Sequence, residues 1–150
     1  MRFVYLAIGC LPVLGQTPHV SSVTKAPGDR VTLTISAISD PARAPLALTW
    51  EVLFPAQLMD IDTNGMETGS AARASGKSLQ CTAKSPYVYI CTLSGGQKLI
   101  GDGPIAIFHF RIKTTAEARM TSLKIEKAES TTIDSKKWTL NDTEAIVIIR

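Results

Sequence analysis

A chain of 150 residues is long enough for one domain with a real hydrophobic core, and 45% of its residues are hydrophobic while only 6% are aromatic. Sixteen Lys and Arg against thirteen Asp and Glu leave a formal net charge of +3. That charge is scattered rather than gathered in a basic stripe, which argues against a nucleic-acid binder.

Residues 1–15 read as a short secretory signal. Arg2 precedes an apolar stretch, Pro12 interrupts it, and Val13, Leu14 and Gly15 lead to a cleavage point before Gln16. The run is too short to span a bilayer as a helix. Two other readings fit the same residues: a lipoprotein signal with Cys10 lipidated, or a buried first strand of a cytosolic chain. Secretion is preferred, because removal of Cys10 leaves an even pair, Cys81 and Cys91. The expected domain is therefore residues 16–150, in an extracellular or periplasmic setting.

A short first strand is expected over residues 19–24, then a turn at Pro27, Gly28 and Asp29. Residues 31–38 alternate cleanly, with Val31, Leu33, Ile35 and Ala37 on one face. A proline-bearing loop spans 40–45. The third strand covers 46–54, with Leu48, Trp50, Val52 and Phe54 on one side and Thr49 and Glu51 on the other. A brief fourth strand is read at 58–61. Residues 63–76 are rich in Gly, Ser, Ala and Asn and read as the most mobile loop.

Strands at 78–84 and 87–93 turn about Ser85 and Pro86. Such a hairpin sets Cys81 and Cys91 nearly opposite one another, the geometry a disulfide needs; the other reading is two unrelated buried thiols. After Ser94, Gly95 and Gly96 comes the densest apolar stretch. A turn at Asp102, Gly103 and Pro104 leads into a strand over 105–113, with Ala106, Phe108, Phe110 and Ile112 on one face and His109, Arg111 and Lys113 on the other. A strand at 121–126, a polar stretch at 128–142 containing Lys136, Lys137 and Trp138, and a closing strand at 145–149 complete the chain. About nine short strands at roughly ten-residue spacing predict an all-β sandwich.

Four of these pieces, taken in order, resemble cohesin domains. The turn at Pro27-Gly28-Asp29 with Val31, Leu33 and Ile35 is similar to the family's opening turn and second strand. Trp50, Val52, Phe54, Pro55 and Leu58 look like its aromatic-x-Leu-x-Tyr-Asp-Pro-x-x-Leu stretch. Residues 100–113 resemble its penultimate core strand, and the final Ile/Val run its closing strand. The resemblance spans residues 20–150. It implies a nine-stranded jelly roll related in fold to cellulose-binding modules, and a non-catalytic role in which one sheet face grips a dockerin. Many dockerin-gripping cohesins carry Asn and Asp on the exposed side of the third strand, where this chain has Ala47 and Thr49; Ala cannot supply a charge-assisted hydrogen bond. The candidates left for partner binding are Thr49, Glu51, Tyr87 and Tyr89. For the two tyrosines, strand packing with one wet hydroxyl is the simpler reading.

Other constellations are thinner. Asp60, Asp62 and Asn64 with Gly65 begin like a calcium loop, yet the place of its bidentate Glu is Ala71. The simpler reading is an acidic turn with Asn64 and Gly65 supplying positive φ. His19 and His109 stand apart, no Gly-x-Ser-x-Gly elbow is present, and Glu51, Asp60, Asp62 and Asp102 do not read as a paired-carboxylate cleft. Neither an enzyme nor a cofactor or metal is expected. The rival to protein docking is direct polysaccharide binding, which stacks sugars on exposed rings; Trp138 is the candidate platform, with Tyr87 and Tyr89 beside it, or else Trp138 is a lid packed over one end of the sandwich.

Overall fold

The computed structural model describes residues 3–8, 21–38 and 44–150. Eleven strands and one short helix are found among them: β1 (Phe3–Ile8), β2 (Ser21–Lys25), β3 (Arg30–Ile38), β4 (Ala47–Leu53), β5 (Met59–Thr68), α1 (Ser70–Ala74), β6 (Ser78–Ser85), β7 (Val88–Ser94), β8 (Gly103–Ile112), β9 (Arg119–Thr131), β10 (Lys137–Thr139) and β11 (Thr143–Ile149). One sheet has the order β1-β3-β8-β5. The other runs β2-β11-β9-β4-β7-β6, with β10 paired to β9. Every pairing is antiparallel except that of β11 with β2. This is the expected all-β sandwich.

The core follows from alternation. Val31, Leu33, Ile35 and Ala37 of β3 are at most 1% exposed, and so are Ala106, Phe108, Phe110 and Ile112 of β8. Val31 is set opposite Phe110, and Leu33 opposite Phe108. From the facing sheet come Leu48, Trp50 and Val52 of β4, with Phe54 beyond it, whose ring centroid lies 5.4 Å from that of Phe110. Burying each Val, Leu, Ile or Phe among them is worth about 1.5–3 kcal/mol.

Two stretches differ from the reading of the sequence. Residues 63–76 are not one loop: β5 continues to Thr68, and α1 follows. The strand breaks register between Ile61 and Met66, then resumes with Met66 opposite Phe108. The intervening residues bulge, with Asn64 at φ +53° as expected. Gly65 serves a different need, since a Cβ there would lie 2.6 Å from the Asp62 carbonyl and 2.7 Å from that of His109. Ala72 of α1 is fully buried, so the small residues that suggested mobility instead permit close packing. The polar stretch after residue 128 also holds structure. β9 runs on to Thr131, with Ala128 and Ser130 buried, and β10 pairs with Glu129–Thr131, beyond the stretch of β9 that β11 covers.

Of the expected leader, β1 is described and pairs with β3, Phe3 opposite Ile38 and Ile8 opposite Leu33. Cys10, the cleavage point before Gln16, and His19 lie outside the described residues, as does most of the loop at 40–45. Among the described residues, no helix is long and apolar enough to cross a membrane.

Candidate functional site

The residues singled out for partner binding belong to the second sheet, and strand parity decides which of them reach solvent. In β4, even-numbered residues enter the core, so Thr49 and Glu51 point outward. Thr49 is exposed, flanked by Thr92 on β7 and Glu129 on β9. Ala47, one step along, is half-buried beside Thr131.

Glu51 is the electrostatic centre of this face, although its side chain is only 9% exposed. Lys84 of β6 reaches one carboxylate oxygen at 2.7 Å, and Lys127 of β9 reaches the other at 3.4 Å. β9 has a register break opposite Thr49 and Glu51, and Lys127 occupies it at φ +51°. The hydrogen bond from Lys84 leads the effects that hold the Glu51 carboxyl below its ordinary range, and the Lys127 ammonium adds to it. The same hydrogen bond raises Lys84. Glu51 is therefore already neutralised from within the chain.

The two tyrosines separate. Tyr89 shares the inward parity of Cys91 and Leu93, packs on the core, and stacks against Phe54 with ring centroids 6.0 Å apart. Its neighbour Ile90, opposite Glu51, is turned to solvent and 40% exposed. Tyr87, in the β6–β7 turn, is 55% exposed, while its carbonyl accepts the Phe54 amide at 3.0 Å. Sequence reasoning missed Ile90, Lys84 and Lys127. Strand alternation about a buried Cys91 turns its neighbour Ile90 outward and would have found it; the two lysines are brought together only by strand order.

Cys81 and Cys91 are bonded to each other directly across the β6–β7 pair, their Cα atoms 4.1 Å apart. The bridge fixes β6, the outermost strand of this face, to β7. Trp138 is half-buried in β10 opposite Ser130, which is itself opposite Leu48. Tyr87 adjoins the other end of β4, where Leu53 pairs with Val88. Five strand residues separate these levels, about 17 Å. Trp138, Tyr87 and Tyr89 thus do not form one stacking platform.

The remaining chemistry-bearing residues lie on the outer face of the first sheet. His109 accepts from or donates to Thr32 Oγ1 at 3.0 Å through Nδ1, and meets Glu67 at 2.9 Å through Nε2. Asp62 is held by Arg30 at 3.2 Å and by Arg111 at 3.1 Å, and Asp60 lies 3.7 Å from Lys113. These pairs clamp β3, β8 and β5 together, and they use the carboxylates of the calcium-like run as ion-pair partners. Among the described residues, no group of three or more His, Cys, Asp or Glu is arranged to hold a metal.

No family model matches this chain, and no curated protein matches it in sequence. Solved structures do. The sixth cohesin of scaffoldin B from Acetivibrio cellulolyticus, solved in complex with a Cel5 dockerin mutant, has a TM-score of 0.74 at 14% identity, over 98% of this chain and 99% of that one. A cohesin module from a family 33 glycoside hydrolase of Clostridium perfringens gives 0.72 at 11% identity, covering 100% and 98%. A non-cellulosomal cohesin from the archaeon Archaeoglobus fulgidus gives 0.69 at 13%, covering 98% and 91%. The chain has a cohesin-like fold, as the strand resemblance implied.

Proposed function

We propose, from a chain folded as cohesin modules are, that it is a non-catalytic, extracellular docking module whose outer β9-β4-β7-β6 face receives a dockerin-like protein. The observation that carries this reading is end-to-end likeness to cohesins, several of them solved in complex with dockerins. The cross-strand disulfide supports an oxidising compartment. The face itself offers Thr49, Thr92 and Gln80 as small polar contacts around Ile90, an apolar point at its middle. An exposed apolar residue ringed by polar ones is a feature that protein interfaces present.

Recognition here cannot run through Glu51, whose carboxylate is committed to Lys84 and Lys127. The contact falls to Thr49 and Ile90, so the partner's opposing surface is expected to be small, polar and apolar rather than strongly basic. The test is capture of a dockerin panel by the immobilised chain. Binding of at least one dockerin is expected, with Ile90→Asp and Thr49→Arg each weakening it by about tenfold or more while the circular-dichroism spectrum stays unchanged. Capture of none, or capture indifferent to both substitutions, overturns the docking face.

A further inference from the structure

Between β10 and β11 the chain runs through Asn141, Asp142 and Thr143, an asparagine with a hydroxyl residue two places on. Asparagine occurs only twice in the sequence, and the other, Asn64, is followed by Gly65 and Met66. Asn141 and Asp142 belong to no strand, and both are exposed. Thr143 begins β11 opposite Ile125, and its Oγ1 is buried without a hydrogen-bond partner among the described residues. A buried hydroxyl left unpaired destabilises a fold, and valine would fill nearly the same volume without one. The packing therefore gives no reason for a hydroxyl at this position.

We infer that Asn141 is an N-glycosylation site, which takes an oligosaccharide from a lipid-linked diphosphate donor outside the cytoplasm. Asn-x-Thr acts as an acceptor where it falls on a surface segment of a secreted chain. The exposed connection between β10 and β11 meets the first condition. The second rests on the extracellular reading above, which the Cys81–Cys91 bridge supports.

In the transfer, Nδ2 of Asn141 bonds to C1 of the first sugar. The bond from C1 to the phosphate oxygen breaks, the lipid diphosphate leaves with that electron pair, and the amide nitrogen gives one proton to a base of the transferase. The transferase reads the Thr143 hydroxyl, which the fold hides once β11 is in place. Transfer therefore precedes the pairing of β11 with β9, while this segment is still extended. In the finished fold the Leu140 amide donates to the Ala128 carbonyl at 2.8 Å, which fixes the segment beside β9. β10 and β11 both pair with β9 on the side away from β4. The glycan thus flanks β9, and Thr49 and Ile90 stay clear of it on β4 and β7.

The test recovers the chain from the medium and envelope of the cells that encode it, and reads its intact mass and the fragments of the peptide that holds Asn141. An oligosaccharide on the Asn141 amide is expected. Asn141→Gln and Thr143→Val should each abolish it, whereas Thr143→Ser should retain it. Thr143→Val should also raise the thermal midpoint of the unmodified chain by about 2–4 °C, because it removes only an unpaired hydroxyl. Unmodified Asn141 in the exported chain, or a glycan that survives Thr143→Val, overturns the site. A midpoint lowered by Thr143→Val would show that the fold itself needs the hydroxyl, and overturns the argument from it. A chain found only inside the cells overturns the extracellular reading and the site with it. Dockerin capture is a separate measurement: its failure leaves the glycan standing, and absence of the glycan leaves the docking face standing.

Discussion

Glu51 shows how one residue's neighbours decide its role. From the sequence it is an outward carboxylate in mid-strand and a natural contact for a partner. In the fold, two lysines from different strands converge on it, and one of them arrives through a bulge in β9. Its lowered pKa makes the stabilisation pH-dependent in a defined direction. In the unfolded chain the carboxyl titrates near its ordinary value of 4.5. The contribution is thus complete above that pH and is lost as pH falls through the lower folded value. Glu51→Gln is expected to cost about 1 kcal/mol at pH 7 and progressively less below about pH 4.5, read from urea unfolding at a series of pH values. A cost that stays constant down to pH 2.5 would show that Glu51 acts by shape and not by charge. Parity made Thr49 and the buried Trp50 legible. What hid the Glu51 cluster is that Lys84 and Lys127 lie 33 and 76 positions away in sequence, with no local pattern pointing to it.

At the scale of elements, the β6–β7 hairpin was the most readable feature, because a turn signal and two cysteines ten residues apart agree. The bridge crosses the pair at Cys81 and Cys91, on the edge of the proposed docking face. Replacing both cysteines by serine is expected to lower stability by about 2–3 kcal/mol, through the freedom returned to the unfolded chain. Thermal unfolding of the double variant checks this, and an unchanged midpoint would remove the bridge as a structural element. β5 and α1 were illegible for a related reason. Small residues at 65–74 are ambiguous between a loose loop and a tight approach. Only the facing backbone of Pro104, which leaves no space for a Cβ at Gly69, shows that the approach is tight. β10 was hidden likewise, since its three residues earn their place solely by pairing with β9.

For the molecule as a whole, the order of apolar runs was enough to reach two layers and a cohesin-like plan, because each strand declares its buried face by alternation. The order of strands within a sheet was beyond local pattern and rests on the non-local pairings. The beginning of the chain makes a further demand. A leader cleaved before Gln16 takes β1 with it and leaves one edge of β3 without that partner. We expect the chain recovered from a secreting host to start at Gln16, as intact-mass spectrometry would show; a recovered chain that retains residues 3–8 would establish β1 as a permanent strand and end the leader reading.

The one parallel pairing among the described residues, β2 beside β11, runs Ser21 against Ala145 and Lys25 against Ile149. A tension that draws Ser21 and Ile149 apart pulls these two strands along their length in opposite senses. Their hydrogen bonds then resist together and must rupture as a set, where a hairpin pulled at its open end would give way one rung at a time. Resistance to such a pull is therefore expected to be greater along this direction than across a hairpin.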